Sequence, residues 1–233
     1  MSSDTPAFHA LPEVRAVLRA ELGHIAAEAA RRPRGRALVL QACAANRAIG
    51  LDTRHLQPVR QHVEAARLAG DAACRPEALP WENSAFQMVV VQHAGEALGG
   101  DSGLLPELIR VLAPGGVMLW FGLNPYSPWL ARLRWAGRSS PARPPRTVAA
   151  GMARRQLMAG HLVATRVEWL GPCWRAEAAP EARAITAAAP LRAAYVVSAI
   201  RQQSAPIPLR LRTRRAPAAV ASPLAMPSRR ARA

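Results

Sequence analysis

Leu104 to Trp129 reads LLPELIRVLAPGGVMLWFGLNPYSPW, and this stretch decides the fold. Leu104, Leu108, Ile109 and Leu112 recur at helical spacing, which predicts an amphipathic helix over Ser102 to Ala113. Asp101 or Ser102 is placed to cap it, and Pro106 still falls near its first turn. Pro114-Gly115-Gly116 ends it, because proline disfavours helix at the residue before it and glycine accepts positive φ. Val117 to Leu123 is then an unbroken apolar run, the pattern of a strand buried on both faces. Helix, turn and buried strand together form the second half of a parallel βαβ unit. Asn124-Pro125-Tyr126-Ser127-Pro128-Trp129 follows at the carboxyl end of that strand, where open parallel sheets place their ligands.

The rest of the chain extends this pattern. Pro12 to Ala30 is an amphipathic helix with Val14, Val17, Leu18, Leu22 and Ile25 on one face. Ala37 to Ala42 is a first strand and Gln87 to Gln92 a clear buried one. Between them the pattern is broken. Ile49 to Thr53 and Leu56 to Val63 each admit a short strand or a helical turn, and Ala72 to Arg75 is a short third strand. Ser127 to Arg146 is a Pro/Arg/Ser-rich excursion, Thr147 to Ala159 a helix, and Leu162 to Leu170 pairs antiparallel with Arg192 to Ile200. The expected class is α/β, a Rossmann-like doubly wound sheet, mainly parallel with an antiparallel last strand. The expected organisation is a helical extension over 1–35, a domain over 36–201 and a disordered basic tail over 202–233.

Several of these segments resemble class I S-adenosylmethionine-dependent methyltransferases of the type 11 group. Glu107 to Gly116 resembles the family segment E-x-x-R-V-L-x-P-G-G, and Leu79 to Phe86 resembles L-P-F-x-x-x-S-F. Gly122 to Trp129 is similar to the G-F-N-P-x-S-x-W signature of a small bacterial branch. The resemblance spans roughly Ala37 to Arg201 and implies S-adenosylmethionine as cofactor. It would contact Gln41, Ala42, Cys43, Ala44, Asp52, Leu79 and Gln92, with His93, Asn124, Ser127 and Trp129 facing the methyl acceptor. The cofactor loop departs from the family pattern. Leu38 to Asn46 stands where the family has V-L-D-I-G-C-G-T-G, so the acid is Leu40 and the glycines are Ala42, Ala44 and Asn46. Alanine reaches left-handed backbone at a cost of roughly 1 kcal/mol or more, and each added Cβ narrows the ligand's approach. Asp52 is the nearby acid for the ribose, Arg75 replaces the acid beside the adenine, and Gln87 replaces the one before strand four. His93 is a candidate general base and Asn124 a candidate for holding a substrate amide or hydroxyl. The N-P-P-Y loop of amino-methyltransferases is absent. Two functions stay open: a methyltransferase of unnamed acceptor, or an inactive methyltransferase-fold module that binds RNA or a protein.

Composition limits the partners. The net charge is +16, and all 31 basic residues are Arg. No acid lies between Glu107 and Glu168, a span holding nine Arg, with Trp129 and Trp135 interleaved. Arg with aromatics suits single-stranded nucleic acid through phosphate contacts and stacking, so RNA or another polyanion is an expected partner. Cys43, Cys74 and Cys173 stand far apart, with no C-x-x-C and no even-numbered framework, which suggests a reducing cytoplasmic setting, and no His/Cys/Asp/Glu cluster has metal spacing, so no metal site is expected. No apolar run reaches membrane-spanning length.

Overall fold

The computed structural model describes residues 8–99, 103–136, 145–174 and 190–202. They belong to one unit, Met1–Gln203; the second unit, Ser204–Ala233, lies outside the described residues, as does the tail expected to be disordered beyond its first residue, Gln202. Asp101, Ser102 and the segment Glu181 to Ala188 lie outside them as well.

Seven strands form one sheet: β1 Gly35–Gln41, β2 Leu56–Glu64, β3 Arg67–Gly70, β4 Phe86–Gln92, β5 Leu112–Leu123, β6 Leu162–Leu170 and β7 Ala194–Arg201. Their order is β3-β2-β1-β4-β5-β7-β6. β2, β1, β4 and β5 run parallel, while β7 runs antiparallel between β5 and β6. The helices are α1 Pro12–Ala30, α2 Ala94–Ala97, α3 Leu104–Val111, α4 Pro128–Ala136 and α5 Ala150–Ala159. The expected central position of Val117–Leu123 is therefore observed, between a parallel and an antiparallel neighbour.

The alternation of side chains along β4 and β5 divides the core. Met88, Val90, Val117, Leu119 and Phe121 face α1 and α4, while Val89, Val91 and Met118 face α3 and α5. Both faces are covered, which is why these strands read as continuous apolar runs. The motif residues of α3 act as a clamp. Glu107 Oε2 accepts from the Leu79 amide at 2.9 Å, and Arg110 donates to the carbonyls of Leu79 and Trp81 and to Asn83 Oδ1. The Leu79 to Asn83 loop is thereby fixed to α3, so the two family-like segments support each other mechanically.

Four expectations are corrected. The helix is shorter than Ser102 to Ala113, because Leu112 already pairs with Phe86 at the start of β5, and Ala113 to Gly116 lie within that strand at a shift of register. The excursion after Ser127 begins as α4, since Leu130 and Trp129 bury against the sheet. The third strand is Arg67–Gly70 rather than Ala72 to Arg75. It forms a hairpin with β2 and runs antiparallel, with Cys74 reduced to a single bridge to Leu68. Ile49 to Thr53 holds no strand, so the crossover from β1 to β2 contains only a 3-10 turn, Ala44–Ala48.

The β2–β3 hairpin closes through Ala65 and Ala66, with φ of 47° and 62°. Two positive φ values in a two-residue loop match a type I′ turn, whose usual residues are Asn-Gly. Replacing Ala65 with Asn and Ala66 with Gly relieves two strained positions and is expected to stabilise the chain by about 1–2 kcal/mol. Urea unfolding measures this; an unchanged midpoint would count against the strained turn.

Candidate functional site

The carboxyl ends of β1, β4 and β5 converge on a buried polar network. Gln41 ends β1, and its Nε2 donates to the Asn46 carbonyl at 3.1 Å and to Gln92 Oε1 at 3.2 Å. Gln92 ends β4, and its Nε2 donates to Glu21 Oε2 at 2.9 Å. Glu21 comes from α1 and is fully buried. Its second oxygen lies 2.8 Å from His93 Nε2, while His93 Nδ1 lies 3.1 Å from Glu96 Oε2 on α2. Glu96 Oε1 accepts from the Leu123 amide of β5 at 2.7 Å. His9, in the 3-10 turn Phe8–Ala10, places Nε2 3.8 Å from Glu96 Oε2. Helix α1, strands β4 and β5 and the Phe8–Ala10 turn thus meet in one cluster.

Its electrostatics follow from burial. Desolvation lowers the pKa of His93, but the Glu21 carboxylate beside it, then Glu96, outweigh that effect and push it up to about 10. His93 is therefore an imidazolium between two carboxylates near neutral pH, and it cannot serve as the expected general base. Desolvation raises the pKa of Glu96, and its two histidine neighbours bring it below the usual carboxylate value. Burial lowers the pKa of His9, so that ring is neutral. Burial raises the Cys43 thiol, which stays protonated.

The loop after β1 does not use the geometry that glycine serves. Ala42, Ala44 and Asn46 are absent from the positive-φ residues, and Cys43 is extended at φ −157°. The expected left-handed cost is therefore not incurred, and glycine at 42 or 44 would gain nothing in backbone geometry. Three polar atoms at the end of β1 and in this loop are buried without hydrogen-bond partners among the described residues: Gln41 Oε1, Asn46 Oδ1 and Asn46 Nδ2. Gln41, Ala42 and Cys43 are all buried, and the Phe8–Ala10 turn packs against Ala44–Ala48.

The other expected residues separate. Asp52 lies before β2, at its amino end, and pairs with Arg54; the acid at the carboxyl end of β2 is Glu64. Leu79 is buried in the core beside α3, held by Glu107 and Arg110. Asn124 uses both amide protons on the Pro190 and Arg192 carbonyls and accepts from the Tyr126 amide, so it fastens β5 to the segment entering β7. Ser127 Oγ and Trp129 Nε1 are buried just beyond β5 without hydrogen-bond partners among the described residues. Trp129 is fully buried and cannot stack on a base, whereas Trp135 and Tyr126 are exposed. Glu21, Glu96 and His9 were not singled out from the sequence. A signal for Glu21 exists: it stands seven residues after Val14 and four before Ile25, an acid on the apolar stripe.

No protein-family model matches the chain, and no curated protein does. Solved structures do. A S-adenosylmethionine-dependent methyltransferase from Archaeoglobus fulgidus superposes with a TM-score of 0.53 at 11% identity, over 77% of this chain and 92% of that one. A Thermotoga maritima S-adenosylmethionine-dependent methyltransferase, described as a possible histamine N-methyltransferase, superposes with a TM-score of 0.50 at 14% identity, over 81% of this chain and 92% of that one. At these identities the likeness establishes the fold. The chain has the class I S-adenosylmethionine-dependent methyltransferase fold.

The ionic cluster predicts a pH dependence. A raised His93 pKa stabilises the fold in full below the unfolded value of 6.5, and that stability is lost as pH rises to about 10. The lowered Glu96 acts oppositely: its contribution is present above 4.5 and is lost as pH falls. Chelator-treated protein is expected to lose thermal stability on the alkaline side of pH 6.5, and Glu21→Gln to flatten that loss. Equal alkaline slopes of Tm in the two proteins would show that Glu21 does not hold the proton on His93.

Proposed function

We propose that the chain is a S-adenosylmethionine-dependent methyltransferase whose cofactor rests its amino acid end against Gln41 and Asn46. The reading is carried by the three unpartnered polar atoms of these residues, buried at the carboxyl end of β1 in this fold. Gln41 Oε1 and Asn46 Oδ1 are acceptors and Asn46 Nδ2 is a donor, the complement of an ammonium and a carboxylate. An unsatisfied buried polar group costs about 1–3 kcal/mol, so a ligand that satisfies all three binds against a prepared deficit. The residues present therefore fit the cofactor, although by side chains rather than by a glycine-lined turn.

Glu64, at the carboxyl end of β2, offers a carboxylate for the ribose hydroxyls. When bound, S-adenosylmethionine supplies an electrophilic methyl group. Ser127 Oγ and Trp129 Nε1 offer a hydroxyl and an indole N–H to orient the acceptor. His93 holds its proton and fixes the end of β4, leaving an acceptor that loses a proton to find another base. Because Gln41 and Asn46 are buried, entry requires the Phe8–Ala10 turn to move from the Ala44–Ala48 turn. The fold does not name the acceptor. The charge of +16, with Arg134, Trp135 and Tyr126 around α4, favours a polyanionic one such as RNA.

Asn46→Ala separates ligand binding from structure by sign. It removes two unsatisfied buried atoms, so the unliganded protein is expected to keep its stability or gain about 1 kcal/mol. Calorimetric titration with S-adenosylmethionine and S-adenosylhomocysteine is expected to show binding to the unmodified chain and at least tenfold weaker binding to the variant. Equal affinity in both would overturn the assignment of Asn46, and no heat in either would overturn the function.

A further inference from the structure

We propose that His9, His93 and Glu96 form a binding site for a first-row divalent transition cation, with zinc as the reference ion, at the carboxyl end of β4. One ligand atom from each residue lies within 4.8 Å of the others, and all three residues are buried. Glu96 Oε2 stands 3.1 Å from His93 Nδ1 and 3.8 Å from His9 Nε2. Two ligands about 2.0–2.2 Å from one tetrahedral zinc stand roughly 3.3–3.6 Å apart, so these two separations bracket the requirement, and the ligand atoms of the two histidines lie within 4.8 Å of each other.

A second observation points to a ligand independently. His9 is 4% exposed, and its Nε2 has no hydrogen-bond partner among the described residues. The 3.8 Å separation from Glu96 is too long for a hydrogen bond, yet suits two atoms that share a cation. An apolar residue would fill the same space without leaving a buried polar atom unsatisfied.

The surroundings of the three ligands match those of built metal sites. His93 turns Nε2 to Glu21 Oε1 at 2.8 Å, and Glu21 is itself held by Gln92; the Nδ1 proton that faces Glu96 in the metal-free chain would be displaced by the ion, so binding releases a proton. A carboxylate behind a ligating histidine sets its tautomer and orientation. Glu96 is oriented the same way, with Oε1 fixed by the Leu123 amide and Oε2 directed at the histidines. Two carboxylates and a divalent ion sum to zero charge in a region with no solvent. Two imidazoles and one carboxylate select zinc or a neighbouring transition ion over calcium or magnesium, which prefer all-oxygen sets. Three protein ligands leave a fourth position for water or a substrate oxygen, the arrangement of reactive rather than purely structural zinc. Because His9 lies in the Phe8–Ala10 turn and the other two follow β4, the ion would also tie the N-terminal segment to the sheet.

The test uses the full chain stripped with a chelator and titrated with Zn2+ against a chromophoric competitor, with no S-adenosylmethionine present, so its outcome is independent of cofactor binding. One equivalent is expected to bind at submicromolar concentration and to raise Tm by several degrees. His9→Ala is expected to weaken binding at least 100-fold, and Glu21→Gln about 10–100-fold through the orientation of His93. Co2+ substitution is expected to give visible bands of a nitrogen and oxygen site. No stoichiometric Zn2+ binding, equal binding by His9→Ala, or a cobalt–thiolate charge-transfer band pointing to a cysteine would each overturn the proposal. Should His9→Ala fail to fold, paramagnetic NMR of the Co2+ form of the unmodified chain decides. Two shifted imidazoles support the site, and none overturns it.

Discussion

The structure depends on one buried ionic contact, the His93 ring held between Glu21 and Glu96. Taking three ionisable groups out of water is expensive, and the cost is offset only when every polar atom is paired with good geometry. Here the pairing reaches into four elements. Glu21 anchors α1, Gln92 the end of β4, Glu96 the short α2, and the Leu123 amide the end of β5. Removing one carboxylate would leave a buried charge uncompensated, so the elements are locked in a mutual arrangement that apolar contacts alone would leave free to slide. His93 sits at φ 57°, a left-handed position that a non-glycine residue holds only where its surroundings impose it.

This network takes over work that longer crossovers do elsewhere in parallel sheets. The β1–β2 connection carries only a 3-10 turn, and β2 returns directly as a hairpin through Ala65-Ala66. No helix from those connections covers the sheet, and α1 packs on that face instead, carrying Glu21 to the strand ends. On the opposite face, the Glu107–Arg110 pair holds the Leu79 to Asn83 loop against α3. The two faces therefore use different chemistry: a solvent-excluded ionic cluster on one side, and on the other a half-exposed ion pair whose bonds to backbone matter more than its charge.

Consequences for ligand binding follow from burial. The unpartnered atoms of Gln41 and Asn46 and the ring nitrogen of His9 lie within one region, beneath the Phe8–Ala10 turn. Each such buried atom lowers the stability of the unliganded chain, and a partner that satisfied it would recover that cost.

The sequence by itself determined the β4–α3–β5 unit, helix α1 to its exact ends, and the antiparallel pairing of β6 with β7. It did so because apolar period and Pro-Gly-Gly punctuation are local properties, set by which face a residue can bury. The broken pattern from Ala44 to Gly70 misled, since half-exposed strands such as β2 and β3 leave only a weak apolar period. Only the tertiary structure decided the site. Asp52 looked suitable by composition, yet β2 begins after it and ends at Glu64. Asn124 looked like a substrate contact, and its amide is consumed by the backbone of 190–192. Glu21 reads as an ordinary helix residue, and nothing in the sequence singles out His9 or Glu96. They become one cluster because packing removes water from all of them at once, and both the strength of a charge pair and the cost of an unpartnered atom depend on that shared exclusion, which no single stretch of sequence contains.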